Sequence, residues 1–212
     1  NLFISLVNGF ILPKYLSVTT YADIKTYQLY ANYVSVLVLG YSDGLYLYYG
    51  GKRITDVNSQ GFNICRTNLL IFQGVMTILA LIFARILNDA ILTYIALSIV
   101  PMNITATYRS IFQATGEYRI YSKVSNYTSI FTFCITIFLL FFVNINNGLT
   151  YIGCYVVVSI VIWIYMELKI IKDYHYKVSF RFDWRNLVEN IHIGITLMLG
   201  NFSSIIMTSI DR

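Results

Sequence analysis

Long apolar stretches alternate with short polar turns along the whole chain. Most of these stretches hold ~20 residues or more, enough to cross the ~30 Å hydrocarbon layer of a bilayer at ~1.5 Å per helical residue. The pattern predicts six membrane-spanning helices and the start of a seventh, at residues 1–16, 24–49, 62–86, 90–112, 120–143, 149–171 and 191–212. The predicted fold is therefore all-α, a polytopic bundle of transmembrane helices.

The stretch 172–190 departs from this pattern because polar residues dominate it. In its first part apolar and polar residues alternate, and this period of two predicts an extended segment that lies half buried at the membrane surface. Asp183 is a favourable N-cap for a short helix that begins at Trp184 and leads into the 191–212 helix. We expect a transmembrane lobe at 1–171, an interfacial linker at 172–190 and then the beginning of a second lobe, so that the chain is a fragment of a longer protein.

The composition supports a lipid environment. The chain is 57% hydrophobic and 12% charged, whereas ordinary soluble domains carry about 25% charged residues. The net charge of +5 is small and dispersed, which does not favour nucleic-acid binding. The cysteines form no CxxC pair, the histidines lack metal-ligand spacing, and P-loop, nucleophile-elbow and zinc-protease motifs are absent from the sequence. We therefore expect neither an enzyme nor a metal or cofactor site.

Basic residues are distributed unevenly between the two sets of helix ends. One set carries Lys52, Arg53, Arg66, Arg109, Arg119, Lys123, Lys169, Lys172, Lys177, Arg181 and Arg185. The opposite set carries Lys14, Lys25 and Arg85. Because positive residues favour the cytoplasmic side of a membrane, this bias places the loops at about 50–60, 113–119 and 172–190 in the cytoplasm.

Polar and charged residues within the predicted spans are the candidate site residues. They are Asp43, Arg66, Gln73, Asn103, Arg109, Asp211 and Arg212. Such residues usually face a protein interior or a water-filled cavity. If their helices surround one cavity, its walls carry surplus positive charge, which favours an anionic substrate. The alternatives are a structural pair for each residue and, for Arg66 and Arg109, a side chain that extends to the cytoplasmic interface.

Asp43 is deeply placed in the 24–49 span. About nine residues, or ~14 Å of helix, separate it from Lys52 at the predicted interface. That distance is too great for a short carboxylate side chain to reach the headgroups. We expect Asp43 to line a cavity or to pair with an arginine such as Arg66.

Four short stretches carry a family resemblance. They are ILPKYL at 11–16 followed by Tyr21, DGLYLYYGGK at 43–52, FQATGEYR at 112–119 and SIDR at 209–212. In this order they resemble motifs of the Wzx-type polysaccharide flippases, which are the O-antigen and capsule transporters of the MATE-like (multidrug/oligosaccharidyl-lipid/polysaccharide) superfamily. The second stretch is similar to the pattern DGIYLRYGGK and departs from it at Tyr48, where arginine is expected.

The resemblance implies a fold of twelve or fourteen helices in two lobes, of which this chain would form the first lobe and the start of helix seven. It implies a transporter that flips undecaprenyl-pyrophosphate-linked oligosaccharides across the bacterial inner membrane by alternating access. Arg66 and Arg109 would then be cavity cations, and Asp43 a polar or ion-coupling residue. The implied partners are the lipid-linked oligosaccharide, the bilayer, a coupling ion (H⁺ or Na⁺) and polysaccharide polymerase machinery.

Other functions remain open at this point. A cation-coupled multidrug exporter of the same fold would favour an acidic first lobe, whereas arginines outnumber carboxylates among the candidate residues. An integral-membrane glycosyl- or acyltransferase would need a His/Asp or DxD-type cluster at a membrane face, and the sequence shows none. A non-transporting scaffold would tolerate alanine at Arg66 and Arg109.

Overall fold

The computed structural model describes residues 9–10, 12–54, 57–143, 146–174 and 179–210. All regular secondary structure in these residues is helical, which confirms the predicted all-α class for this part of the chain. The helices are α1 (Val18–Val34), α2 (Tyr41–Tyr49), α3 (Ser59–Leu87), α4 (Ala90–Ala114), α5 (Tyr118–Phe138), α6 (Gly148–Tyr174) and α7 (Trp184–Ile210). A 3-10 turn at Ser35–Val38 follows α1, and a π-helical turn at Leu139–Val143 extends α5.

Capping side chains explain where several helices begin. Ser17 Oγ accepts a hydrogen bond from the backbone N–H of Thr20 at 3.2 Å. Asp89 and Asp183 each accept from the backbone N–H two residues further along the chain, at 2.7 and 3.0 Å. These oxygens satisfy N–H groups that have no partner within the first turn. The prediction that Asp183 is an N-cap is thereby confirmed.

Four helices among the described residues are long and apolar enough to cross a membrane. They are Ser59–Leu87, Ala90–Ala114, Tyr118–Val143 and Gly148–Lys172. They coincide with the spans predicted at 62–86, 90–112, 120–143 and 149–171. Large apolar side chains such as Ile78, Phe83 and Leu168 are exposed on their outer faces, as expected of surfaces that contact lipid. These features are typical of a polytopic membrane protein.

The prediction of one continuous helix at 24–49 is wrong. α1 begins earlier than predicted, at Val18, and a second helix begins at Tyr41. Between the two, Leu39 (φ 50°) and Gly40 (φ 81°) adopt left-handed conformations, which end a right-handed helix. Glycine takes this conformation without a Cβ penalty. The hydrophobic pattern runs through the break and therefore gave no sign of it.

In the 172–190 stretch the helix predicted to begin at Trp184 is confirmed, whereas the predicted start of the extended linker at 172 is wrong. α6 continues to Tyr174 because its last turns, MELKIIK at 166–172, consist mainly of good helix formers. α7 is one continuous helix from Trp184, with neither glycine nor proline in its first turns to separate a short helix from a long one. Residues 179–183 between them have no regular structure, and 175–178 lie outside the described residues.

α4 is the central helix of the bundle. It contacts α1, α2, α3, α5 and α6, and it remains helical on both sides of Pro101. α7 packs mainly against α2 and also contacts α3. One apolar core cluster includes Tyr41 and Tyr108, and a second includes Ile24 and Tyr151. The described candidate site residues lie on α4 itself and on α2 and α3, which pack against it.

Candidate functional site

Two buried amides from neighbouring helices stabilise the break between α1 and α2. Gln73 on α3 donates from Nε2 to the carbonyl oxygen of Leu37 at 3.3 Å. Asn103 on α4 donates from Nδ2 to the carbonyl oxygen of Val34 at 3.1 Å and to Oε1 of Gln73 at 2.7 Å. The Gln73 and Asn103 side chains are 0% and 1% exposed. Since an interrupted helix leaves carbonyl groups without intrahelical donors, these amides supply the missing hydrogen bonds.

α7 crosses the start of α2 through glycine backbones. A Cβ atom on Gly194 would overlap the carbonyl oxygen of Gly40 and the backbone nitrogen of Gly44. A Cβ atom on Gly44 would overlap the carbonyl oxygen of Asn190. Gly40 and Gly44 have the GxxxG spacing that permits close approach of membrane helices. The crossing brings Asn201, two turns further along α7, beside the first turn of α2.

A pocket of about 140 Å³, lined by both polar and apolar side chains, lies where the first turn of α2 meets α4 and α7. Its polar lining consists of Ser35, Ser42, Asp43, Asn103, Ser110 and Asn201. Asn201 donates from Nδ2 to Oδ1 of Asp43 at 3.0 Å, and the hydroxyls of Ser42 and Thr107 share a hydrogen bond. Among the lining residues that the structure describes, Asp43 carries the one formal charge. Its place in the first turn of α2 lets the helix dipole stabilise that negative charge.

Arg66 lies away from this pocket, in an ion pair that the sequence did not predict. Its Nε donates to Oε2 of Glu167 on α6 at 2.9 Å. Oε1 of the same carboxylate accepts from the Tyr108 hydroxyl at 2.8 Å and from the Trp163 indole N–H at 3.3 Å. The Phe180 ring lies 5.8 Å from the guanidinium carbon. Arg66 therefore forms a structural ion pair, which is one of the alternatives given above for this residue.

Arg109 faces a different groove. It lines a space of about 100 Å³ between α4, α5 and α6, together with Thr105, Thr128 and Ser159. Ser110, the next residue on α4, lines the Asp43 pocket instead. Adjacent helical residues point ~100° apart, because one turn holds ~3.6 residues. α4 thus presents polar groups to two separate places.

The residues expected to line one cationic cavity do not meet in the described part of the chain. Asp43 lines the pocket, and Gln73 supports the helix break beside it. Arg66 is paired with Glu167, and Arg109 faces the α4–α5–α6 groove. The pocket is consequently acidic rather than basic. The other two candidates, at 211 and 212, lie outside the described residues.

Sequence reasoning missed three residues that shape these sites, although signals existed for each of them. Glu167 is a carboxylate inside the predicted 149–171 span, four residues after Trp163 and hence on the same helix face. Gly194 interrupts an apolar run and marks a close approach. Asn201 is a polar residue inside the predicted 191–212 span and is thus a candidate for a cavity wall.

The pocket can bind a ligand through several neutral hydrogen-bonding groups and one carboxylate. Amide and hydroxyl side chains both donate and accept hydrogen bonds, whereas an ionised carboxylate only accepts. A hydroxyl-rich molecule or a small cation fits this chemistry better than a phosphate does.

No protein-family model, curated protein or solved structure gives a significant match to this chain.

Proposed function

We propose that this chain belongs to a membrane transporter that flips lipid-linked oligosaccharides, the undecaprenyl-pyrophosphate-linked repeat units of surface polysaccharides, across the bacterial plasma membrane by alternating access. The observation that carries the proposal is the interrupted helix, whose second half presents Asp43 to the pocket between α2, α4 and α7. In membrane transporters, discontinuous helices place half-helix ends and unwound backbone at substrate and ion sites. Irregular backbone at membrane depth is tolerated where it is buried in protein or lines a cavity.

The neutral polar lining supports a saccharide ligand. Hydroxyl and amide groups match the hydroxyls of sugars, and the pocket has several of each around Asp43. Its volume of about 140 Å³ is below the ~300–1,000 Å³ of typical ligand sites. The pocket must therefore widen to admit a sugar unit. We propose that α2 and α7 separate at their glycine crossing in the transport cycle.

The stretches that carry the flippase resemblance support the same assignment. The backbone N–H of Gly51, in the 43–52 stretch, donates to the carbonyl oxygen of Ala114, in the 112–119 stretch, at 3.3 Å. Two separate motifs of the resemblance therefore contact each other at the end of the bundle that the charge bias assigns to the cytoplasm. Such a contact joins the end of α2 to the end of α4.

A cation-coupled multidrug exporter is the second candidate, and the sign of the pocket favours it. Asp43 gives the pocket a negative charge, whereas Arg66 and Arg109 lie outside it. An acidic pocket attracts a cationic drug, a proton or a sodium ion. In a flippase the same carboxylate would serve ion coupling.

Complementation of a flippase-null bacterial strain with the full-length protein distinguishes the two functions. We expect the wild-type protein to restore surface polysaccharide, and Asp43→Asn to lower that restoration at equal membrane abundance. Glu189→Gln, which changes an exposed carboxylate on α7, is the matched control and should leave it unchanged. Resistance to cationic drugs without glycan rescue would reject the flippase in favour of the exporter.

A further inference from the structure

The α4–α5–α6 groove contains buried hydrogen-bonding groups that have no protein partner. Nε of Arg109 and Oγ1 of Thr105 are both buried without a hydrogen bond in the described structure. Thr105 is 8% exposed, so its hydroxyl is withdrawn from solvent. Buried polar atoms are nearly always hydrogen-bonded in folded proteins, and an exception calls for a bound water or ligand. Both atoms belong to side chains that line the same groove.

The charge of Arg109 is uncompensated, in contrast to that of Arg66. Within the described residues Arg109 forms no ion pair, whereas Glu167 neutralises Arg66. Arg66 also has one unpartnered nitrogen, Nη1, but its net charge is balanced. α4 is one of the four helices apolar enough to span a membrane. An unpaired guanidinium inside such a helix is costly unless an anion or water accompanies it.

The opposite walls of the groove offer hydrogen-bond acceptors. Thr128 on α5 donates its hydroxyl proton to the carbonyl oxygen of Val124 at 2.9 Å. Ser159 on α6 donates to the carbonyl oxygen of Val156 at 2.7 Å. Their oxygens therefore remain free to accept but not to donate. The groove thus combines two donors from α4 with two acceptors, which suits an anion that carries a hydroxyl nearby.

The depth of Arg109 matches the headgroup region of a bilayer. It stands five residues before Ala114, the last residue of α4, which corresponds to ~7.5 Å along the helix. Guanidinium groups bind phosphate oxygens with charge-assisted hydrogen bonds. Basic pockets between membrane helices on the cytoplasmic side are suited to anionic lipid headgroups.

We propose that the α4–α5–α6 groove binds one phosphate group, to which Arg109 and Thr105 donate hydrogen bonds. This phosphate belongs to an anionic phospholipid such as phosphatidylglycerol. The groove volume of about 100 Å³ has room for about three waters at ~30 Å³ each, which is the scale of a single phosphate. The site is separate from the Asp43 pocket, so it does not depend on the proposed function. A bound lipid here joins α4, α5 and α6.

Native mass spectrometry of the delipidated full-length protein tests this site. The protein is incubated in detergent with phosphatidylglycerol, with phosphatidylcholine or with inorganic phosphate. The fraction of protein that retains a bound ligand is measured as a function of ligand concentration. We expect one phosphatidylglycerol to bind more tightly than phosphatidylcholine. Arg109→Gln should weaken that binding about tenfold or more, since a hydrogen bond to a charged group contributes at least about 1.4 kcal/mol. Equal affinity of Arg109→Gln and the wild-type protein for phosphatidylglycerol would overturn the proposal.

Two further variants keep the test decisive. Arg119→Gln removes an exposed arginine at the start of α5 and should leave lipid binding unchanged. Thr105→Val removes the second donor with little change in volume and should weaken binding severalfold, which serves if Arg109→Gln does not fold. Arg109-dependent binding of inorganic phosphate, with no preference for phosphatidylglycerol, would reject the lipid as the source. Loss of binding in Arg119→Gln as large as in Arg109→Gln would reject the groove.

Discussion

The side-chain amide of Asn68 on α3 forms hydrogen bonds with both the backbone N–H and the backbone carbonyl of Asp183. Oδ1 of Asn68 accepts from the N–H at 2.9 Å, and its Nδ2 donates to the carbonyl oxygen at 2.9 Å. The neighbouring Thr67 also contributes, since its Oγ1 accepts from the N–H of Arg181 at 3.3 Å. Thr67 and Asn68 on α3 together hold the segment that leads into α7. The short segment 179–183 is held against α3 by side chains rather than by regular structure.

Asn68→Ala should therefore destabilise the attachment of α7. The substitution removes two partly buried hydrogen bonds to the backbone of Asp183, each of which contributes about 0.5–1.5 kcal/mol. Thermal unfolding in detergent, followed by circular dichroism, measures the effect. Asn126→Ala on the exposed face of α5 is the control. Equal stability of the two variants would contradict a structural role for Asn68.

Two glycines of α7 should respond in opposite directions to the same substitution. Gly194→Ala introduces a Cβ into the backbone of Gly40 and Gly44, and such overpacking costs about 1–3 kcal/mol or more. Gly200→Ala meets nothing within 4 Å and should stabilise the helix by up to about 1 kcal/mol. Unfolding midpoints of the two variants, measured in the same detergent, separate the predictions. A Gly194→Ala protein as stable as Gly200→Ala would show that α2 and α7 do not approach this closely.

The glycine crossing also shows what the sequence could and could not predict. Apolar run lengths located the four helices that are long and apolar enough to cross a membrane, because hydrophobic length depends on the residues of one segment alone. The break at Leu39 and Gly40 depends on contacts from other helices: Gly194 fits against it, and Gln73 and Asn103 satisfy its carbonyls. These contacts are far apart in sequence, so a local pattern cannot reveal them.

Sequence reasoning named single candidate residues but could not predict how they are arranged. Asp43 lines the pocket between α2, α4 and α7. Arg66 and Arg109 are at least partly buried, as expected of charges within membrane spans. Sequence position gives the depth of a side chain along its helix, but the direction in which it points follows from packing. For this reason the sequence could not show that Arg109 and Ser110, adjacent on α4, face different spaces.

Gln73→Leu tests whether buried amides maintain the interrupted helix. The variant keeps a side chain of similar size but removes the donor to Leu37 and the acceptor of Asn103. We expect a loss of about 1–3 kcal/mol in the free energy of unfolding, together with loss of transport, because the Asp43 pocket depends on the break. Gln113→Leu, at the exposed end of α4, should change the free energy by no more than about 0.5 kcal/mol. Normal transport by Gln73→Leu would show that transport does not depend on the hydrogen bonds that maintain the helix break.

Glu167→Gln should destabilise the protein mainly through Arg66, which loses its counter-charge and the acceptor of its Nε–H. Glutamine retains one oxygen that can accept from Tyr108 and Trp163, but its NH2 group then faces the Arg66 Nε–H, and the largely buried guanidinium is left uncompensated. Breaking a buried ion pair on one side costs about 3–5 kcal/mol, whereas replacing both charges is often neutral. The double variant Arg66→Met/Glu167→Gln should therefore recover most of the stability that Glu167→Gln loses. Unfolding midpoints of the wild-type protein, both single variants and the double variant complete the cycle, and purely additive losses would show that the two charges do not stabilise each other.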